Sequence, residues 1–210
     1  MIEFSCAACA KKYTVPDAAA GRKARCACGE TIVVPAPAIA SDSPDLSQLL
    51  AAKIPMRTRR LIADAKHMAS AFDHFPLIRV RSTKGDPPET YQIEFNVRSL
   101  DQGKKAPLPR EQHVAEIQLT ADYPRVSPKC RLLTPIFHPN IDAATICVGD
   151  HWSAGEKLVD LVVRIGEMLA YQAYNIKSPL NAEAAMWADL NAAQLPTDNR
   201  SLRPPEMDVD

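Results

Sequence analysis

Between residues 78 and 134 apolar side chains recur at every second position in four short runs. Ile78 and Val80 open the first run. Tyr91, Ile93, Phe95 and Val97 alternate with Gln92, Glu94 and Asn96 in the second, His113, Ala115, Ile117 and Leu119 form the third, and Cys130 to Thr134 the fourth. That period belongs to half-buried β-strands. The segments between them, Lys84 to Pro88 and Asp101 to Pro109, carry Gly and Pro and read as turns. On either side the period changes. Leu61, Ile62, Ala65, Met68, Ala69 and Phe72 follow helical spacing, with Arg59, Arg60, Asp64 and Lys66 elsewhere on the wheel. Later, Leu158, Leu161, Val162, Ile165 and Leu169 make a second stripe, opened by the capping-box pattern Ser153 to Glu156. Asn181 is placed to cap a last helix through Ala184, Ala185, Trp187 and Leu190. Helix, four-stranded antiparallel meander, irregular segment, helix, helix is an α+β order and not a βαβ repeat.

Four of six cysteines crowd the first 35 residues: Cys6, Cys9, Cys26 and Cys28. A segment that short cannot bury a core and needs a staple. The N-terminus has no basic start, apolar stretch or small-residue cleavage site, which argues against secretion and for a reducing cytoplasm. There, close cysteine pairs read as metal ligands rather than disulfides. The pattern is C-x-x-C, a sixteen-residue gap, then C-x-C-G. Two such knuckles around one tetrahedral zinc is the reading, although the second is one residue short.

The domain reading follows. Residues 1–35 form the metal module, 36–52 a Pro/Ala/Ser-rich linker, 53–195 the larger domain and 196–210 a flexible tail. The composition is 46% hydrophobic with a formal net charge of zero, so nothing draws the whole chain toward nucleic acid. No apolar run reaches the roughly 18 residues of a membrane span.

Chemistry concentrates between Tyr123 and Trp152. The turn His138-Pro139-Asn140 lies seven residues before an isolated cysteine, Cys147, which Gly149, Asp150 and His151 follow. An exposed thiol can carry an acyl group; a buried one is an inert small hydrophobe. Asn140 can orient the loop or donate to an oxyanion, and a turn asparagine accepting local backbone bonds is the plainer role. His138 reads as structural, with catalytic base the minor alternative. Cys130, in a strand, reads as core.

Tyr123-Pro124 with Pro128, His138-Pro139-Asn140, Ile146-Cys147, Trp152-Ser153 and Pro179-Leu180-Asn181 stand in one order and spacing that resembles the ubiquitin-conjugating enzyme family, over roughly residues 55–192. The resemblance implies that family's fold and a transferase activity. Cys147 would carry an activated ubiquitin-like protein as a thioester and deliver it to an amine. The partners implied are that ubiquitin-like protein, its activating enzyme, a target protein and a ligase, with no membrane. Arg125 stands where the family often has an aromatic, and Ser178 where many members have an aspartate beside the cysteine. Asp150 and Asn175 are the polar groups that could compensate. Lys53, Arg57, Arg59 and Arg60 open the first helix, where the family meets its activating enzyme; a solvated face is the alternative. These departures look like a divergent, bacterial member. The N-terminal module is similar to bacterial zinc ribbons of the F-x-C-x-x-C-x-x-x-Y-x-V-P type, here Phe4, Tyr13 and Val15-Pro16, for which a protein partner is the first reading and nucleic acid the second. A catalytically inactive adaptor of the same fold, or a nucleic-acid-binding ribbon protein, are the competing functions.

Overall fold

The computed structural model describes residues 2–35, 54–104, 106–148 and 152–205. The chain divides into two compact units, Met1–Lys53 and Ile54–Asp210. The linker expected at 36–52 and Lys53 lie outside the described residues, as do Gly149, Asp150 and His151.

The first unit is two β-hairpins. β1 (Ile2–Ser5) pairs with β2 (Lys12–Val15), with Phe4 opposite Tyr13. β3 (Lys23–Arg25) pairs with β4 (Thr31–Val33). A 3-10 turn at Asp17–Ala19 connects them. Each hairpin loop holds two cysteines. Gly21 has φ 72°, a conformation glycine adopts without penalty, and its N–H reaches the Val34 carbonyl at 2.9 Å. Ile2, Cys6, Cys26 and Val34 are the buried apolar residues described here, too few to fold the unit alone.

In the second unit α1 (Met56–Phe72) begins after Pro55 and packs beside a four-stranded sheet. Its strands are β5 (Ile78–Lys84), β6 (Thr90–Phe95), β9 (His113–Gln118) and β10 (Lys129–Leu132), in spatial order β10-β9-β6-β5 and all antiparallel. Tyr91, Ile93, Phe95, Ala115 and Ile117 turn into the core because strand side chains alternate. α2 (Leu158–Leu169) lies with them, and all five of its expected stripe residues are buried. α3 (Ala182–Leu190) is capped by Asn181, whose side chain accepts from the Ala184 N–H at 3.0 Å. No helix among the described residues is long and apolar enough to cross a membrane.

Five local expectations change. The stretch Asp101 to Pro109 is not simply turn. It contributes to a hairpin of β7 (Ser99–Asp101) and β8 (Leu108–Arg110). The Ser153–Glu156 capping box is absent: α2 starts at Leu158, and Glu156 closes a turn onto the Ser153 carbonyl instead. Asp64 is on the buried face of α1, at 2% exposure, while Ala69 is exposed. The buried position is tolerable because the Arg60 Nε (2.8 Å) and the Tyr123 hydroxyl (2.5 Å) both donate to one carboxylate oxygen. Leu190, expected on the α3 stripe, is 76% exposed. Finally, the segment after Pro196 is anchored through residue 202. The Asp198 N–H bonds the Ala170 carbonyl, Leu202 is buried against Phe95 and Gly166, and Arg200 clasps Asp198. Residues 206–210 lie outside the description.

Candidate functional site

Cys147 is presented by a tight backbone arch. Its N–H donates to the Asn140 carbonyl at 3.0 Å, and the Ile146 N–H to the Cys130 carbonyl at 2.9 Å, which ties the arch to β10. At the turn the Asp142 carboxylate accepts from the N–H groups of Ala144 (2.8 Å) and Thr145 (2.7 Å). Ile146 is buried and Cys147 exposed, as alternation along an extended segment requires. Ile146 and Val148, on either side of the thiol, line a groove of about 700 Å³ with Val126, Pro128, Lys129 and Arg131.

His138 is fully buried. Its Nδ1 accepts from the Asn140 N–H at 3.1 Å, and its ring lies 4.7 Å from that of Tyr171. Burial pushes its pKa down to about 4, so it is neutral near pH 7. The enclosed ring braces the turn through its bond from the Asn140 N–H. Tyr171 braces the same corner, its hydroxyl donating to the Phe137 carbonyl at 2.6 Å.

Asn140 is 5% exposed, and its side chain points to the loop that follows α2. Its Nδ2 donates to the Asn175 carbonyl at 2.8 Å and meets the Ser178 carbonyl at 3.5 Å, while its Oδ1 accepts from the Asn175 N–H at 2.7 Å. The Pro139 carbonyl accepts from Leu180 (2.8 Å) and Asn181 (3.0 Å). Thus the turn holds Cys147 with its main chain on one side and the loop of Asn175 and Ser178 with its side chain on the other. Ser178 itself is exposed. Asp150 lies outside the described residues. Cys130 is buried, and burial raises its thiol pKa to about 12, so it stays protonated.

The basic start of α1 is mostly committed to the unit's own fold. Arg57 pairs with Glu89 at 2.6 Å and donates to the carbonyls of Leu119 and Thr120. Arg60 donates to Asp64, Tyr123 and the carbonyls of Ala154 and Glu156. Trp152 Nε1 donates to the Pro124 carbonyl at 2.7 Å, closing the same corner. Arg59 remains exposed.

In the first unit the Sγ atoms of Cys6, Cys9, Cys26 and Cys28 all lie within 4.8 Å of one another. Cys6 to Cys28 is 3.8 Å and Cys9 to Cys26 is 3.6 Å. Four thiolates about 2.3 Å from a tetrahedral zinc would be about 3.8 Å apart, so the donor set fits that ion. The shortened second knuckle still closes: the Gly29 N–H bonds the Cys26 carbonyl, and Gly29 takes φ 94°.

Several residues of these sites escape sequence reading. Asp142 sits in a D-x-x-T stretch whose side chain could have been read as a turn former. Asn175 is a sequence candidate for a compensating polar group, but its paired backbone bonds to the Asn140 side chain carry no local signal. Tyr171 and Asp198 carry no local signal.

The sequence pattern of the family described as Ubiquitin-conjugating enzyme matches residues 90–197. The chain is 29% identical over 119 residues to Ubiquitin-conjugating enzyme E2 N of Macaca fascicularis, covering 55% of this chain and 76% of that protein. It is 38% identical over 77 residues to Ubiquitin-conjugating enzyme E2 N of Drosophila melanogaster, covering 34% of this chain and 50% of that one. Among solved structures, a candidate ubiquitin conjugating enzyme from Plasmodium yoelii superposes with a TM-score of 0.51 at 20% identity, over 67% of this chain and 88% of that chain, a likeness of fold.

Proposed function

The chain belongs to the ubiquitin-conjugating enzyme family, and from that premise we propose that Cys147 is its acyl carrier. The Cys147 thiolate attacks the thioester joining a ubiquitin-like protein to its activating enzyme. A new C–S bond forms, the old one breaks, and the activating enzyme's thiolate leaves. An amine of a target protein then attacks the same carbonyl carbon. The C–N bond forms, Cys147 leaves as thiolate, and the amine's proton passes to solvent or a nearby base. Splitting the transfer in this way is nucleophilic catalysis. The observation that carries the reading is that Cys147 alone of the second unit's two cysteines is exposed, on an arch bonded to Asn140.

Asn140 is assigned the orienting role. Its Nδ2 already faces the carbonyls of Asn175 and Ser178. Donation to an oxyanion, a contribution of about 3 kcal/mol where it occurs, would require exchanging the 3.5 Å contact. Ser178 and Asp150 remain proposed as polar groups that meet the incoming amine, and His138 as the fixed corner of the turn. A ligase is a further proposed partner. The departures at Arg125 and Ser178 point to a divergent, bacterial type of member working with its own ubiquitin-like protein in the cytoplasm.

Zinc is proposed at Cys6, Cys9, Cys26 and Cys28, where it supplies the cross-link that a unit without a core needs.

The test is a charging assay. The protein is mixed with the ubiquitin-like protein, its activating enzyme and ATP, then run on a non-reducing gel. A thiol-sensitive adduct that disappears in Cys147→Ala is the expected result. An adduct that survives the substitution would place the acyl group on a residue other than Cys147, and no adduct while the activating enzyme is itself charged would leave an inactive adaptor of the same fold as the better account.

A further inference from the structure

A C-x-x-C knuckle directs backbone N–H groups at its thiolates, and those donors spread the negative charge of a four-sulfur site. The second knuckle here is a residue shorter, Cys26-Ala27-Cys28. In the structure the Ala27 N–H is not spent on a sulfur. It donates to the Tyr13 hydroxyl at 3.3 Å, and that hydroxyl lies 2.9 Å from the Cys26 Sγ. A hydroxyl whose lone pair takes an N–H is left with its own proton to give. A metal-bound thiolate has only lone pairs, so the bond can run in one direction: Ala27 N–H to Tyr13 oxygen, Tyr13 O–H to Cys26 sulfur.

The rest of the molecule holds this hydroxyl in place. Tyr13 is half-buried in β2, directly opposite Phe4 of β1, and the two rings stack at 5.8 Å with 27° between their planes. Thus the hairpin carrying Cys6 and Cys9 sends a donor across to the hairpin carrying Cys26 and Cys28. We propose that the Tyr13 hydroxyl is a further donor to the Cys26 sulfur, beside the backbone N–H of Cys28 within the shortened knuckle, and that it strengthens metal binding by the four thiolates. The inference rests on reading those thiolates as the zinc site and names a residue outside the ligand set that tunes it.

The experiment uses the full chain, titrated with Co2+ and followed by thiolate-to-metal absorption, with Zn2+ competing the cobalt off. Tyr13→Phe keeps the ring stacked on Phe4 and deletes only the oxygen. The expected result is Co2+ and Zn2+ affinity lowered about 10-fold to 100-fold, with the four-thiolate cobalt spectrum unchanged in shape. Affinity within about twofold of wild type overturns the inference and leaves the zinc site standing. No cobalt bound by the wild-type chain overturns both. A second measurement needs no variant: in the 113Cd-loaded wild type the Tyr13 hydroxyl proton should be protected from solvent exchange. A freely exchanging hydroxyl would also sink the proposal.

Discussion

Asn140 and Asn175 bond to each other in both directions. The Nδ2 of Asn140 donates to the carbonyl of Asn175 at 2.8 Å, and the N–H of Asn175 donates to the Oδ1 of Asn140 at 2.7 Å. The side-chain amide therefore substitutes for a backbone amide in a short ladder between two loops. The carbonyl of the same Asn140 holds Cys147. One residue sets the distance between the thiol arch and the loop of Ser178.

Asn140→Asp should break this ladder more severely than its small size suggests. It keeps an acceptor for the Asn175 N–H but turns a buried donor into a carboxylate facing two carbonyls. A cost of about 2 kcal/mol in urea unfolding is expected from an unsatisfied buried group. Charging of Cys147 should persist while discharge to free lysine slows. Equal discharge rates for variant and wild type would show that the ladder does not serve transfer.

Asp64 joins α1 to two loops through Arg60 and Tyr123. Asp64→Ala strands the half-buried Arg60 and should cost about 3 kcal/mol. A double-mutant cycle with Tyr123→Phe should show strong coupling, because both changes remove the 2.5 Å bond. Additive losses would mean that the carboxylate and the phenol stabilise the fold independently.

Acid should unfold the second unit in two stages. His138 and His113 are each pushed down to about 4 by burial. Their unfolded forms titrate near 6.5, so the unfolded state binds more protons between pH 6.5 and 4. Stability must then fall with falling pH by up to about 1.4 kcal/mol per pH unit for each histidine. Asp198 acts in the same direction, in a lower pH window. The Arg200 guanidinium holds its carboxyl well below the usual range. Its contribution is complete above the unfolded value near 3.9 and is lost as pH drops below it. Chemical unfolding as a function of pH should show His138→Gln flattening the upper stage and Asp198→Asn the lower one.

Leu202 is 2% exposed, and a Cβ placed on Gly166 would come within 2.8 Å of its Cδ1. A side chain packed that closely is core. Leu202→Ala should cost about 2 to 3 kcal/mol. A change under about 0.5 kcal/mol, the ordinary surface value, would restore the picture of a frayed tail.

Much of this was legible because its physics is local. The period of two in Tyr91, Ile93 and Phe95 marks a strand whatever surrounds it, and these residues are buried as the alternation requires. Asn181 caps α3 because a cap needs only the residue three positions on. The four cysteines were recognisable by spacing within two short loops. The hairpin of β7 and β8 escaped notice because Gly103 and Pro107 dominate its sequence and each strand has only three residues. The buried carboxylate of Asp64 was misplaced because its partner, Tyr123, is 59 residues away.

By itself the sequence determined the α+β order and marked Cys147 and the four clustered cysteines of the first unit as candidates, since periodicity and turn chemistry act within a few residues, whereas the exposure of Cys147 came from the fold. Only the tertiary structure decided which polar groups satisfy one another: Asn140 with Asn175, Asp64 with Tyr123, Asp198 with the end of α2, Tyr13 with Cys26. The reason is desolvation. A buried donor or acceptor must find a partner inside the protein, and that partner can come from any part of the chain that folding brings near.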